Sequence, residues 1–115
     1  MIKIKRIYEP YSPDDGYRLL VDRLWPRGIA KAHARIDLWM KDVAPSTTLR
    51  KWFSHDPLKW QQFRRRYLAE LQVSPAYAEL KALAGKHAVV TLLYAARDEA
   101  HNEARVLQEL LSSHH

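Results

Sequence analysis

Two stretches of the chain gather polar and charged side chains where an apolar run stops. The first is VDRLWPRGIAK, Val21 to Lys31, in which Asp22, Arg23, Arg27 and Lys31 surround Trp25-Pro26 directly after Leu19-Leu20-Val21. Guanidinium groups bind carboxylates and phosphates through paired N–H donors, so Arg23 and Arg27 could clamp an anion while Lys31 adds charge. Gly28 permits a sharp turn behind them. The second stretch is TLLYAARDEAHNEARVL, Thr91 to Leu107, where Tyr94, Asp98, His101 and Asn102 follow a second apolar run. Asp98 and Asn102 are suited to orienting a ligand, and Tyr94 or His101 to moving a proton if there is catalysis. A purely structural reading stands beside each: Asp22 pairs with an arginine, Trp25 enters the core, and Asp98 only caps a helix.

The surrounding pattern says what must position these residues. Ile2, Ile4 and Ile7 alternate with basic residues as a strand with one buried face, and Tyr17 to Asp22 reads as a second short strand. Between them, Glu9 to Gly16 is dense in turn residues. Ile36, Trp39, Met40 and Val43 recur at spacings of three and four, which predicts a helix from Ile29 to about Val43. Ser46 caps a further helix carrying Arg50, and Leu58 to Val73 predicts the strongest helix, with Trp60, Phe63, Tyr67 and Leu71 inward. On its outer faces Arg66 and Glu70, four apart, are placed to pair. Ser74-Pro75 opens another helix, with Gly85 as its stop. Ala88 to Ala96 is almost wholly apolar, as in a strand covered on both faces, and is the candidate central strand. Asp98 then caps a last helix through Leu111.

Two strands, a helical middle, a strand and a helix predict a single α/β domain over residues 1–115. Its small, largely parallel sheet would be flanked by helices in a Rossmann-like three-layer arrangement. Ligands of such sheets sit beyond the carboxyl ends of the strands. If the two site-bearing strands are parallel neighbours, Arg23, Arg27, Tyr94, Asp98, His101 and Asn102 converge.

Composition excludes several chemistries. The 115 residues contain no cysteine, which removes disulfides, thiolate metal sites and cysteine nucleophiles and suits a reducing cytoplasm. Three glycines cannot build a P-loop or a dinucleotide fingerprint, and no serine sits in a nucleophile elbow. Metal-like spacings, His33 with Asp37 and Asp98 with His101, lack a third ligand, so no metal is expected and no cofactor is named. No window has the length of a membrane span. The net charge of +6 favours anionic partners. The terminal His114 and His115 are assigned no role.

The blocks DGYRLLVDRLWPRG, KDVAPSTTLRKWFSHDP, FRRRYLAEL and TLLYAARDEAHNEARVL occur in that order across nearly the whole chain. Together they resemble the YeaO-like family, small bacterial proteins of a domain-of-unknown-function group. The resemblance implies a compact cytoplasmic α/β domain with no established reaction. It also implies a shared polar pattern on Asp22, Arg23, Arg27, Lys31, Lys41, Ser46, Arg50, Arg66, Tyr67, Glu70, Tyr94, Asp98 and Asn102. More distant relatives look as if they carry a Cys-His-Arg run where this chain has His101-Asn102-Glu103, a departure that puts any cysteine- or metal-based chemistry suggested for them in doubt here. The expected function is binding of a small anionic ligand, nucleotide-like or phosphorylated, in a strand-end cleft. The alternative is a basic accessory protein that binds nucleic acid around Arg64 and Arg65.

Overall fold

A computed structural model describes residues 1–113; His114 and His115 lie outside the described residues. The strands are β1 (Ile2–Arg6), β2 (Tyr17–Leu20), β3 (Leu38–Trp39) and β4 (Val90–Tyr94). The helices are α1 (Lys31–Ala34), α2 (Thr47–Phe53), α3 (Trp60–Gln72), α4 (Pro75–Lys86) and α5 (Glu103–Ser112). The strands form one sheet in the order β1-β4-β2-β3, and every pairing is parallel. The apolar run Ala88–Ala96 does supply the central strand: all five residues of β4 are buried, with Ile4 and Leu19 aligned on either side of Leu92. No helix among the described residues is long and apolar enough to cross a membrane.

The strand period divides the core in two. Val90, Leu92 and Tyr94 join Leu19, Val21, Ile2 and Ile4 on the face covered by α2 to α5, where Phe53, Phe63, Tyr67, Leu80 and Leu107 fill the layer. Leu93, Leu20 and Ile7 lie on the opposite face under Trp25, Ile29, Ile36 and Trp39, from the segment that contains α1. The first strand therefore does not keep its isoleucines on one face. Ile2 and Ile4 point to the large core, and Ile7, an odd number of residues further on, turns to the smaller one.

The second face also holds a buried ionic cluster. Lys5 Nζ donates to both oxygens of Asp15 at 3.1 Å, and Arg18 donates to the same carboxylate. The Thr91 hydroxyl donates to the Asp15 carbonyl at 2.7 Å. Arg18, 3% exposed, also donates to the carbonyls of Arg35 (2.9 Å) and Ala34 (3.2 Å). Each of its three guanidinium nitrogens thus donates a hydrogen bond, which offsets part of the cost of burying its charge.

That cluster explains why the expected helix from Ile29 to Val43 does not form. Arg18 takes the carbonyls at the end of the one-turn α1, and Arg35 adopts a left-handed conformation with φ 50°. Asp37 then pairs with Arg18 through backbone and side chain, at 2.7 and 2.8 Å, and Met40 N–H reaches the Leu20 carbonyl at 2.9 Å. The segment becomes β3 followed by a 3-10 turn, Lys41–Val43. The helical spacing of its apolar residues is satisfied instead by division: Ile36 and Trp39 enter the smaller core, Met40 and Val43 the larger.

Three further boundaries differ from expectation. Gly85 lies inside α4, which runs on to Lys86. Leu58 belongs to a 3-10 turn, Pro57–Lys59, capped by Asp56 ahead of α3. The N-cap of α5 is Asn102, because the Asp98 carboxylate accepts from Ala100 and His101 N–H (2.9 and 3.0 Å) and so closes a turn before the helix begins.

Two outcomes are expected. Gly16 has φ +63°, and a Cβ there would lie 2.4 Å from the Val89 carbonyl oxygen, so Gly16→Ala should destabilise the fold. The expected loss in urea unfolding is about 2 kcal/mol or more. Burial works to raise the Asp15 carboxyl, but hydrogen bonds from Lys5, the Ser12 N–H and Arg18 outweigh it and hold the group below its ordinary value. A depressed folded-state value contributes stability above the unfolded pKa that is lost as pH falls through the folded one. Asp15→Asn should therefore be less stable near neutrality and show a flatter acid limb in pH-dependent melting.

Candidate functional site

Because β2 and β4 are parallel neighbours, both end on one edge, and the chain segments leaving them wall a cleft of about 520 Å³. Asp22, Arg23 and Arg27 line it from the first segment, and His101, Asn102 and Glu103 from the second. Pro45, Arg50 and Phe53 close another side. Its size falls within the range of small-ligand pockets. The two halves singled out in the sequence meet.

Two carboxyl groups line the cleft. Asp22 accepts from the Ala95 N–H at 2.9 Å, tying the end of β2 to the residue after β4. Glu103, the first residue of α5, lines the same cleft. Burial, reinforced by the neighbouring Asp22 charge, pushes the Glu103 carboxyl well above the usual carboxylate range.

Asp22 is not neutralised by an arginine. Arg23 turns instead to the carbonyls of Pro45 and Ala44, both at 3.2 Å. That turn is held from α3: Glu70 accepts from the Ser46 N–H (2.9 Å) and hydroxyl (2.6 Å), and the Tyr67 hydroxyl donates to the Val43 carbonyl at 2.5 Å. Ser46 Oγ meanwhile accepts from Leu49 N–H and caps α2, as its position predicts. Burial raises the Tyr67 hydroxyl well above its ordinary value, so it serves as a fixed donor. Ser46, Tyr67, Glu70 and Arg23 thus form one network that shapes a cleft wall. Arg66, which the helical spacing paired with Glu70, lies over the Trp52 ring at 4.3 Å.

The remaining site residues divide. Arg27 and Arg50 line the cleft, are exposed, and have no side-chain hydrogen-bond or ion-pair partner among the described residues. His101 also lines it; its Nδ1 lies 2.8 Å from the Asp98 carboxylate and its ring packs edge-on against Trp60 at 5.2 Å. The His101 hydrogen bond is the main cause holding the Asp98 carboxyl below its ordinary value. Asp98 itself stands behind His101, outside the lining. Asn102 reaches the cleft but is 2% exposed, and its carboxamide is used up between the Asp98 carbonyl and the Arg105 N–H, both at 2.9 Å. Tyr94 is in the large core, 2% exposed, with its hydroxyl raised mainly by burial, and does not line the cleft. Lys31 lies outside as well, its ammonium 5.8 Å from the Trp25 ring. Among the described residues no three metal-ligating side chains come together.

Glu103 is the residue the sequence reading passed over. An acid in the first turn of a helix is favoured by the helix dipole and carries no local mark of another role. Only the packing of α5 on β1 and β4 brings it to the cleft that Asp22 also lines.

Removing the Glu70 carboxylate leaves the Ser46 N–H without a partner and loosens the turn that Arg23 grips. Glu70→Ala should cost about 1–3 kcal/mol in chemical denaturation. Amide hydrogen exchange at Ser46 and Leu49 should accelerate more than at the centre of β4, and uniform acceleration would argue against a local role for this contact.

The family described as "Inactive DUF488-N3 subclade" matches residues 1–115. The chain is 48% identical over 111 residues to the uncharacterized protein Rv3073c of Mycobacterium tuberculosis, covering 96% of this chain and 93% of that one. It is 45% identical over 112 residues to the uncharacterized protein YeaO of Escherichia coli, covering 97% of each. No solved structure matches. With agreement along the whole length in both comparisons, the chain belongs to the YeaO-like family, within the DUF488-N3 group.

Proposed function

We propose that the protein binds a small phosphorylated or nucleotide-like anion in the cleft at the carboxyl edge of the sheet. The observation that carries this reading is the placement of Arg27 and Arg50, from two different segments, in the lining of one cleft, with no acidic ion-pair partner among the described residues. Arg23 adds to them. Its Nε and Nη2 are committed to the Ala44–Pro45 turn, which leaves Nη1 without a protein partner among the described residues and holds the guanidinium in place. A guanidinium already oriented by carbonyls loses less freedom on binding an oxyanion than a mobile one. The net charge of +6 attracts anions toward the site from a distance.

Binding without turnover is the simpler form of the proposal. The subclade's description as inactive agrees with it. Should a proton be moved, His101 is the placed group, since Asp98 orients its ring as a carboxylate orients the imidazole of a catalytic pair. Tyr94 is buried away from the cleft. A phosphorylated ligand also suits the cytoplasmic location that the absence of cysteine favours.

The alternative, a nucleic-acid surface on α3, has less support. Arg64 is paired with Glu109 at 2.9 Å, and Trp60, Phe63 and Tyr67 pack into or against the core. These aromatic rings are not available for stacking on bases.

Thermal unfolding in the presence of inorganic phosphate, ribose 5-phosphate and nucleoside monophosphates tests the proposal. A ligand at about one hundred times its Kd should raise the melting temperature of the wild type by several degrees. The Arg27→Ala, Arg50→Ala double variant should keep its unliganded melting temperature, since both side chains are exposed, and lose the shift. No shift with any phosphate compound, or a shift that the variant retains, would remove the arginine site. Salt-sensitive oligonucleotide binding that depends on Arg64 and Arg65 would favour the alternative.

A further inference from the structure

We propose that the exposed basic segment between β2 and β3, together with Tyr8 and Tyr11, binds a single strand of nucleic acid. The surface adjoins the cleft and shares Tyr8 and Arg27 with it, but strand binding along it does not depend on a small anion entering the cleft.

The chain from Arg23 to Ile36 carries four lysines and arginines and no acid. Three of these cations, Arg27, Lys31 and Arg35, are exposed. None of their side chains donates a hydrogen bond or joins an ion pair among the described residues. The acids closest in sequence are turned elsewhere: Asp22 accepts from the Ala95 N–H at 2.9 Å and Asp37 from the Arg18 N–H at 2.8 Å. Next to Tyr8, Glu9 accepts from the Arg6 N–H at 2.9 Å. Cations left in this way repel one another and gain from an anionic partner.

Aromatic rings interleave with the cations. Tyr8 is 43% exposed, yet it is held on two sides. Its hydroxyl donates to the Arg27 carbonyl at 2.9 Å, and the Arg6 guanidinium lies 5.0 Å from its ring centroid. Arg6 is itself fixed by the carbonyls of Ala96 and Ala95, at 2.9 and 3.2 Å. Tyr11, 45% exposed, carries the Arg35 guanidinium 4.5 Å from its centroid. Neither tyrosine belongs to either apolar core, so packing does not account for them. A ring that stays exposed while its position is fixed loses little freedom when a base stacks on it, and a guanidinium plane offers a stacking surface too.

The contrast with α3 is direct, since Arg64 is paired there and the rings face inward. Inorganic polyphosphate would satisfy the charge and leave the tyrosines without a role, and a duplex keeps its bases stacked on one another. A single strand uses both features.

Fluorescence anisotropy with a labelled oligothymidine about ten nucleotides long is the test, with the corresponding duplex and inorganic polyphosphate as competitors. Wild-type affinity should fall steeply as salt rises. The Lys31→Ala, Arg35→Ala double variant should bind about tenfold more weakly and lower the salt slope by about 1.4, the share of two phosphates on a single strand. Tyr8→Ala should weaken binding about tenfold with the slope unchanged, and Tyr8→Phe, which keeps the ring, should stay within about threefold of the wild type. If Tyr8→Ala does not fold, competition decides: oligothymidine should displace the probe about tenfold better than polyphosphate of equal charge. No binding of the single strand, or binding that survives the double variant, overturns the surface, and loss on Arg64→Ala, Arg65→Ala instead moves it to α3. Equal displacement by duplex or polyphosphate, or full affinity in Tyr8→Ala, overturns the assignment to a stacked single strand.

Discussion

The parallel pairing of β2 with β4 holds everything else in place. Tyr17–Leu20 lies against Val90–Leu93, and the contact continues at both ends, from the Tyr17 N–H on the Val89 carbonyl at 2.9 Å to the Val21 N–H on the Leu93 carbonyl at 3.1 Å. One step further, the Asp22 side chain takes over from the backbone ladder and binds the Ala95 N–H. At the other end, Gly16 lets the chain pass so close to Val89 that a side chain would not fit. Two strands bonded this way must leave the sheet at the same edge. The segments that follow, far apart in sequence, become the two sides of one cleft.

The arginines show how the same side chain is used at different depths. Arg18 is buried and meets an acid and two carbonyls, and in doing so it dictates the path of the chain from α1 to β3. Arg23 is half-buried, bound to two carbonyls on one side and open on the other. Arg27 and Arg50 are exposed at the cleft. The order follows from desolvation: the less water reaches a guanidinium, the more of its N–H groups the protein must satisfy. A net charge of +6 is thus only partly a surface property, since some of the cations build the fold.

Much of this was legible from local patterns. An apolar run with no alternation identified β4 as a covered strand, and residues such as Ser46 and Ser74 announced helix starts because a hydroxyl accepting from a nearby N–H needs only its own neighbours. The inward stripe of α3 followed from its 3.6-residue period. The failures share a cause. Ile36, Trp39, Met40 and Val43 have helical spacing, yet a segment crossing the sheet edge sends the same residues into two cores. Asp98 and Asn102 are both good caps, and which one starts α5 depends on where the turn after β4 closes.

Composition and spacing determined the chemistry at hand: no thiol, no glycine-rich phosphate loop, arginines after one strand, and an acid and a histidine after another. These are properties of residue types and their near neighbours, so they survive without knowledge of the fold. Which of those groups reach the cleft was decided by strand order and facing. Tyr94 follows the period of β4 into the large core, Asn102 spends its carboxamide on a helix end, and Glu103, unremarked in the chain, is carried by α5 into the cleft that Asp22 lines. That placement depends on how α5 packs on β1 and β4, strands distant in sequence, and no local pattern encodes it.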